Sequence, residues 1–213
     1  MILLRTELFR VFATGLTGLF SIFSLPCCLA SAQERSVSPP KPSADYSVRG
    51  KTSPEGGDLH LSYSDGRMRL EVSMPALGSA MTGIANFDTR RVVILSDIPG
   101  MDVLGFEIDM PPEYSFANMP EDSVRAGQSE VGSEPCDIWR TAKSSPIPIE
   151  VCLTADGIPL KANTVTQQGK NVAFEATELE RGPQDPAGFK VPKGVKVRRV
   201  PKGMESIIPG LKP

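Results

Sequence analysis

Strict apolar/polar alternation on both sides of an Asp-Gly pair constrains this chain more than any other feature. Asp58-Leu59-His60-Leu61-Ser62-Tyr63-Ser64 runs into Asp65-Gly66 and then Arg67-Met68-Arg69-Leu70-Glu71-Val72-Ser73-Met74. Asp-Gly readily supplies the positive φ angles of a two-residue hairpin turn. With that turn, Tyr63 opposes Met68, Leu61 opposes Leu70 and Leu59 opposes Val72, so these apolar side chains share one face. The other face pairs His60 with Glu71 and Ser62 with Arg69. One apolar and one solvated face is the signature of an antiparallel sheet.

The same period recurs along the chain, and no stretch from Tyr46 onward carries a helical apolar stripe over three turns. Met81–Phe87 and Val92–Leu95 read as a second hairpin around residues 88–91, its second strand apolar on both faces and therefore central. Val103–Ile108 follows. The prolines from Pro111 to Pro120 exclude a central strand and predict a long crossing loop. Residues 136–141 and 147–152 predict a hairpin with Cys136 facing Cys152 and Trp139 facing Ile149. A bond between those cysteines would contribute roughly 3 kcal/mol on the chain-entropy estimate. A second Asp-Gly turn, Asp156-Gly157, sets Leu153 opposite Leu160 and Val151 opposite Ala162. A turn at Gly169-Lys170-Asn171 then leads into Val172–Leu179. Asp185 followed by Pro186 predicts one short helical turn. The fold class is mainly β with little helix.

The amino terminus carries Arg5 and Arg10, a mostly apolar run from Val11 to Leu29, and Ala30-Ser31-Ala32. That order is the pattern of a secretory signal peptide, residues 1–32. An uncleaved anchor is the competing reading, and lipidation of Cys27 or Cys28 is disfavoured because Pro26 and Cys27 precede them. Export predicts a periplasmic protein, with an extracellular one as the alternative, and membrane contact no more than peripheral after cleavage. Residues 33–44, rich in Ser and Pro, read as a flexible lead; 45–197 as the β domain; 198–213 as a basic, Pro/Gly-containing tail. That tail is expected to be a solvated end, the alternative being contact with anionic headgroups or an acidic partner. Without residues 1–32 the formal charge is −3, which gives no footprint for nucleic acid.

Catalytic chemistry has little to stand on. His60 is the single histidine; with Glu71 it could form a base and its orienter, but spacing places no nucleophile beside them. One histidine and two hairpin cysteines do not assemble a metal site, and Gly56-Gly57 precedes a strand rather than the helix a phosphate loop needs. No catalytic residue, metal or cofactor is expected. Met68, Met74, Met81, Met101, Met110, Met119 and Met204 are many beside an aromatic content of 6%. They read as filler for an irregular core or as soft apolar surface that adapts to ligands; thioether ligation of copper(I) is a third reading, disfavoured because Met101 and Met110 are too far apart for a compact motif.

Several segments together resemble a family of exported bacterial proteins of uncharacterised function, related to the LolA/LolB-like superfamily of lipoprotein carriers. They are Tyr63-Ser64-Asp65-Gly66-Arg67-Met68-Arg69-Leu70, Asn86-Phe87-Asp88 with Val92–Leu95, Cys136 and Trp139 ahead of Cys152–Leu160, and Pro186-Ala187-Gly188-Phe189 with Pro192 and Gly194. The resemblance implies a strongly curved antiparallel sheet, a half-open barrel, whose concave apolar face holds acyl chains. The superfamily's opening helical region has no counterpart between Gln33 and Tyr46. The leading expectation is a non-enzymatic envelope protein that binds a lipid or acylated protein on the face bearing Leu59, Leu61, Tyr63, Met68, Leu70 and Val72. The alternative is a structural or interaction module whose sheet is filled by its own side chains and whose partner is another envelope protein.

Overall fold

The computed structural model of the chain describes residues 38–53, 56–75, 78–97, 102–110, 116–142, 145, 148–166 and 169–204. The expected signal segment lies outside the described residues. Two runs of neighbouring antiparallel strands make up the sheet. The first is β1 (Tyr46–Thr52), β2 (Asp58–Ser64), β3 (Arg67–Met74), β4 (Ser79–Asn86), β5 (Arg91–Asp97) and β6 (Leu104–Asp109). The second is β7 (Val124–Val131), β8 (Glu134–Arg140), β9 (Ile149–Leu153), β10 (Pro159–Thr166) and β11 (Gly169–Arg181), and the short β12 (Val197–Arg199) follows. Pairing of β1 with β11 fuses the two runs into one curved, unclosed 12-stranded sheet of order β12-β6-β5-β4-β3-β2-β1-β11-β10-β9-β8-β7. This is the mainly β, half-open barrel expected. Among the described residues no helix is long and apolar enough to cross a membrane.

The β2–β3 register is the one the alternation predicts: Tyr63 faces Met68, Leu61 faces Leu70 and Leu59 faces Val72. Asp65 and Gly66 both take positive φ, 46° and 68°, which is the turn geometry whose twist suits two flanking strands. At the β1–β11 seam a bulge falls between Arg49 and Gly50. A Cβ on Gly50 would lie 2.4 Å from the Glu175 carbonyl oxygen, so the seam can close this tightly only at a glycine.

The later turns depart from expectation. Pairing of β8 with β9 is slipped by two residues, with Ile138 facing Cys152 and Trp139 facing Val151, not Ile149. Because side chains alternate with period two, the slip leaves every residue on its expected face. Cys136 and Cys152 still bond, their Cα atoms 5.4 Å apart. After β9 the Gly157 N–H donates to the Thr154 carbonyl at 3.0 Å, so the turn is centred on Ala155-Asp156 with Gly157 in the left-handed region behind it, φ 81°. That extra residue feeds a shift between Pro159 and Lys161: Leu153 faces Pro159 rather than Leu160, while Val151 faces Ala162 as expected. The next turn falls earlier than predicted, since Gly169 already pairs with Thr166.

Both flanks of the domain are tied down. Residues 38–44, expected to be a loose lead, run against the β9–β10 turn: Pro39 is buried and the Ser43 N–H reaches the Asp156 carbonyl at 3.2 Å. Sheet pairing continues past residue 197, with Arg198 and Arg199 in β12 parallel to β6 and Val200 buried behind it. Asp185 caps a single 3-10 turn over Pro186–Phe189, accepting from the Ala187 N–H at 2.9 Å.

Candidate binding face

Three rows of side chains cross the concave face of β1 to β6, and their burial falls from one row to the next. The first row is Tyr46, Tyr63, Met68, Ala85, Val92 and Ile108; apart from half-buried Tyr63, all of it is closed to solvent. Tyr63 stacks on Tyr46 with ring centroids 5.4 Å apart. In the second row Val48, Leu61 and Ile94 are buried, but Leu70 and Phe106 are only partly buried. The third row runs Leu59, Val72, Met81, Ser96, Leu104, where Leu59 and Ser96 are buried, Val72 and Met81 are only partly buried and Leu104 is 37% exposed.

The six residues expected to form the site therefore do share one face, but they divide. Leu59, Leu61 and Met68 are core, whereas Tyr63, Leu70 and Val72 are partly buried residues packed against it. What fills the rest of the concavity comes from elsewhere. Phe116, Ala117 and Met119 of the crossing segment join the same cluster, with Phe116 6.0 Å from Phe174 of β11. Trp139, Val151 and Ala162 continue it on the far side of the β1–β11 seam. Two polar atoms are caught in this core without a protein partner, the Tyr46 hydroxyl and the Trp139 indole N–H. Burial pushes the Tyr46 phenol well above its ordinary range.

Phe106, Met81 and Leu104 belong to the open part of this face and were not placed there from sequence. The alternation in Val103–Ile108 held the signal for Phe106 and Leu104; what it lacked was the pairing partner that sets its phase. Beside them, β6 and the approach to β12 enclose a cleft of about 520 Å³ lined by Val103, Leu104, Phe106, Val195, Lys196 and Arg198 among others. Arg198 pairs with Phe106 across the strands, which puts a cation on the apolar row.

The convex face carries a polar network. His60 Nδ1 lies 3.2 Å from Glu71 Oε2, and its Nε2 is 3.5 Å from the Ser62 hydroxyl. Arg69 donates to Glu71 at 2.7 Å and to the Gly188 carbonyl at 3.0 Å. Burial pushes the Glu71 carboxyl up, but the Arg69 guanidinium and His60 more than reverse this and hold it below its ordinary value. Serine, histidine and glutamate in that order have the connectivity of an acyl-transfer trio. Two features of its geometry differ from those of an acyl-transfer site. The serine–histidine distance sits at the limit of a hydrogen bond. The trio also lies mid-strand, where ladder pairing on both sides occupies the backbone N–H groups that an oxyanion would need. Among the described residues no three His, Cys, Asp or Glu side chains gather as a metal site.

The disulfide lies on this convex side, with the Arg140–Glu150 pair at 2.6 Å next to it and the Glu150 side chain 4% exposed. Arg181 of β11 clamps Glu134 and Asp156, both at 2.8 Å. Of the methionines, Met68 and Met119 are buried, and Met81 and Met110 pack partly buried against the core. Met101 falls outside the described residues.

No family model matches the chain, and no curated protein matches it by sequence. Solved structures do. An uncharacterized conserved protein from Thermus thermophilus is similar over 74% of this chain and 91% of its own, at 14% identity and a TM-score of 0.50. PNGF-II is similar over 74% of this chain at 13% identity and a TM-score of 0.50. This chain spans about a third of PNGF-II, 32%. The MucA/MucB complex of Pseudomonas aeruginosa gives 16% identity, a TM-score of 0.44, and coverage of 74% of this chain and 59% of that one. The first two likenesses extend to the fold: the curved sheet seen here recurs in chains of very different sequence.

Proposed function

We propose that the protein is a non-enzymatic, exported envelope protein that binds the apolar part of a lipid or an acylated protein at the open end of its concave face. The observation that carries this reading is the thinning of cover along one continuous apolar surface. Met68, Leu61 and Leu59 are sealed, while Leu70, Val72, Met81, Phe106 and Leu104 are left partly in water. Leaving such surface wet forgoes about 25 cal/mol for each Å² that could be buried, which an acyl chain recovers on docking.

The adjoining cleft, about 520 Å³, falls in the size range of small-molecule sites, roughly 300–1,000 Å³. Its lining includes one carboxylate, Asp102, but two cations, Lys196 and Arg198, beside Leu104 and Phe106, a net positive charge that suits an amphiphile with an anionic group next to its chain. The ligand face is accordingly narrower than the six-residue face expected from sequence. Its sealed half is filled by the protein's own side chains, as the alternative reading supposed for the whole.

The test is native mass spectrometry of protein purified from its own cell envelope, with identification of whatever is bound. Wild type should carry a lipid or acylated peptide. Leu70→Asp and Val72→Asp should remain folded by circular dichroism and lose it. Apo wild type, or variants that keep the same cargo, would overturn the proposal.

A further inference from the structure

The free edge of β7 is complementary to itself, and we propose that two copies of the chain pair antiparallel through it, extending the sheet across a two-fold axis at Gln128. Among the described residues β7 ends the sheet, with β8 on one side only. Nearly all of its eight residues are exposed, so the backbone groups turned away from β8 are a template for another strand. A bulge between Arg125 and Gly127 decides what that template can accept. Five residues apart in a regular strand, Arg125 and Glu130 would point to opposite faces. Here Arg125 faces Trp139, Gln128 faces Asp137 and Glu130 faces Pro135; the bulge absorbs one residue and puts the three on one face.

Rotating the strand about Gln128 then opposes Arg125 to Glu130 and Val124 to Val131 in both directions, with matching faces throughout. Two charge pairs and two apolar pairs result from a single isologous contact. Arg125 is held ready by Asp137 at 2.5 Å, while the Glu130 side chain makes no hydrogen bond or ion pair among the described residues, and a second copy would bring it a cation. Val124, 56% exposed, is covered in the same step. A second copy is favoured over an unrelated strand because the complementarity is written twice in one eight-residue segment. This inference is independent of the lipid reading, which concerns the opposite end of the sheet order.

The experiment uses the purified full chain. Gln128→Cys places its thiol opposite its own copy, where strand partners lie about 4.5–5.5 Å apart between Cα atoms, within disulfide range. Under a mild oxidant it should run as a covalent dimer on a non-reducing gel, and Val124→Cys, whose own copy lies at the other end of the strand, should not. In sedimentation, Arg125→Glu and Glu130→Arg should each weaken the dimer by about tenfold or more, and the double swap should restore it. A wild-type monomer at tens of micromolar, cross-linking of both cysteine variants alike, or a swap that fails to restore association would overturn the proposal.

Discussion

Truncating Leu61 and Leu70 to alanine, one at a time, separates the sealed part of the concave face from the open part. The two residues face each other across β2 and β3, so backbone context and side-chain chemistry are matched. Leu61 is fully buried, and Leu70 is only partly so. Leu61→Ala removes packed carbons and leaves a cavity ringed by rigid neighbours, which costs about 3 kcal/mol within the usual 2–5 range. Leu70→Ala removes atoms already partly in water and leaves a surface dent rather than a void, so about 1 kcal/mol is lost. The expected gap is about 2 kcal/mol. In urea, with an m-value of about 2 kcal/mol/M, the two midpoints should lie about 1 M apart at unchanged slope. By calorimetry the gap should be about 4–8 °C. Equal losses, or a greater loss at Leu70, would mean that something seals the whole face, and the binding site proposed at its open end would have no opening.

Four further outcomes follow from the same geometry. Cys136 and Cys152 should resist alkylation until reduced, and Cys152→Ala should cost about 3 kcal/mol, read as a lower urea midpoint. Tyr46→Phe should be neutral or stabilising in a melt, because it removes a buried hydroxyl that has no protein partner and whose desolvation is uncompensated. The Arg181 clamp should give the protein an acid limb. Hydrogen bonding to Arg181 holds Glu134 below its ordinary 4.5, and burial raises Asp156 but Arg181 and Thr154 more than reverse it, holding it below 3.8. The stability these carboxylates contribute is thus present above those ordinary values and lost as pH falls below them, and Arg181→Gln should flatten that loss in urea melts from pH 5 to 2. Finally, Ser62→Ala should leave turnover of activated esters at the background rate of wild type; faster hydrolysis by wild type would assign the convex network to catalysis after all.

Where a turn was short and chemically specified, sequence alone yielded atomic pairing. Asp65-Gly66 admits one compact hairpin, so every partner in β2 and β3 followed from it. Asp156-Gly157 looks alike and is not, because Thr154 caps the turn with its own carbonyl and hydroxyl and moves glycine outside the central pair. The stretch between β8 and β9 carries no such signal, and there the register missed by two residues while the faces held. β7 gave no signal of its own. An edge strand exposed on both faces has no reason to alternate, and Val124–Val131 drew no strand assignment because only pairing with β8 makes it one.

Alternation also says which face is apolar without saying what covers it, and that limit shaped the reading of the site. Leu59, Leu61, Leu70 and Val72 are indistinguishable in pattern, yet cover comes from residues far along the chain. Phe116, Ala117 and Met119 reach the core from a proline-flanked segment with no periodicity, and Val200 arrives by hydrogen-bonding to Glu107 at 2.9 Å. The seam of β1 with β11 brings Phe174 and Trp139 around to the same cavity, and Gly50 is what allows that seam to close. A half-barrel built this way fills from the seam and the crossing segment outward. The surface left over must lie where neither reaches, at Val72, Met81 and Leu104, and that is where a ligand has something to gain.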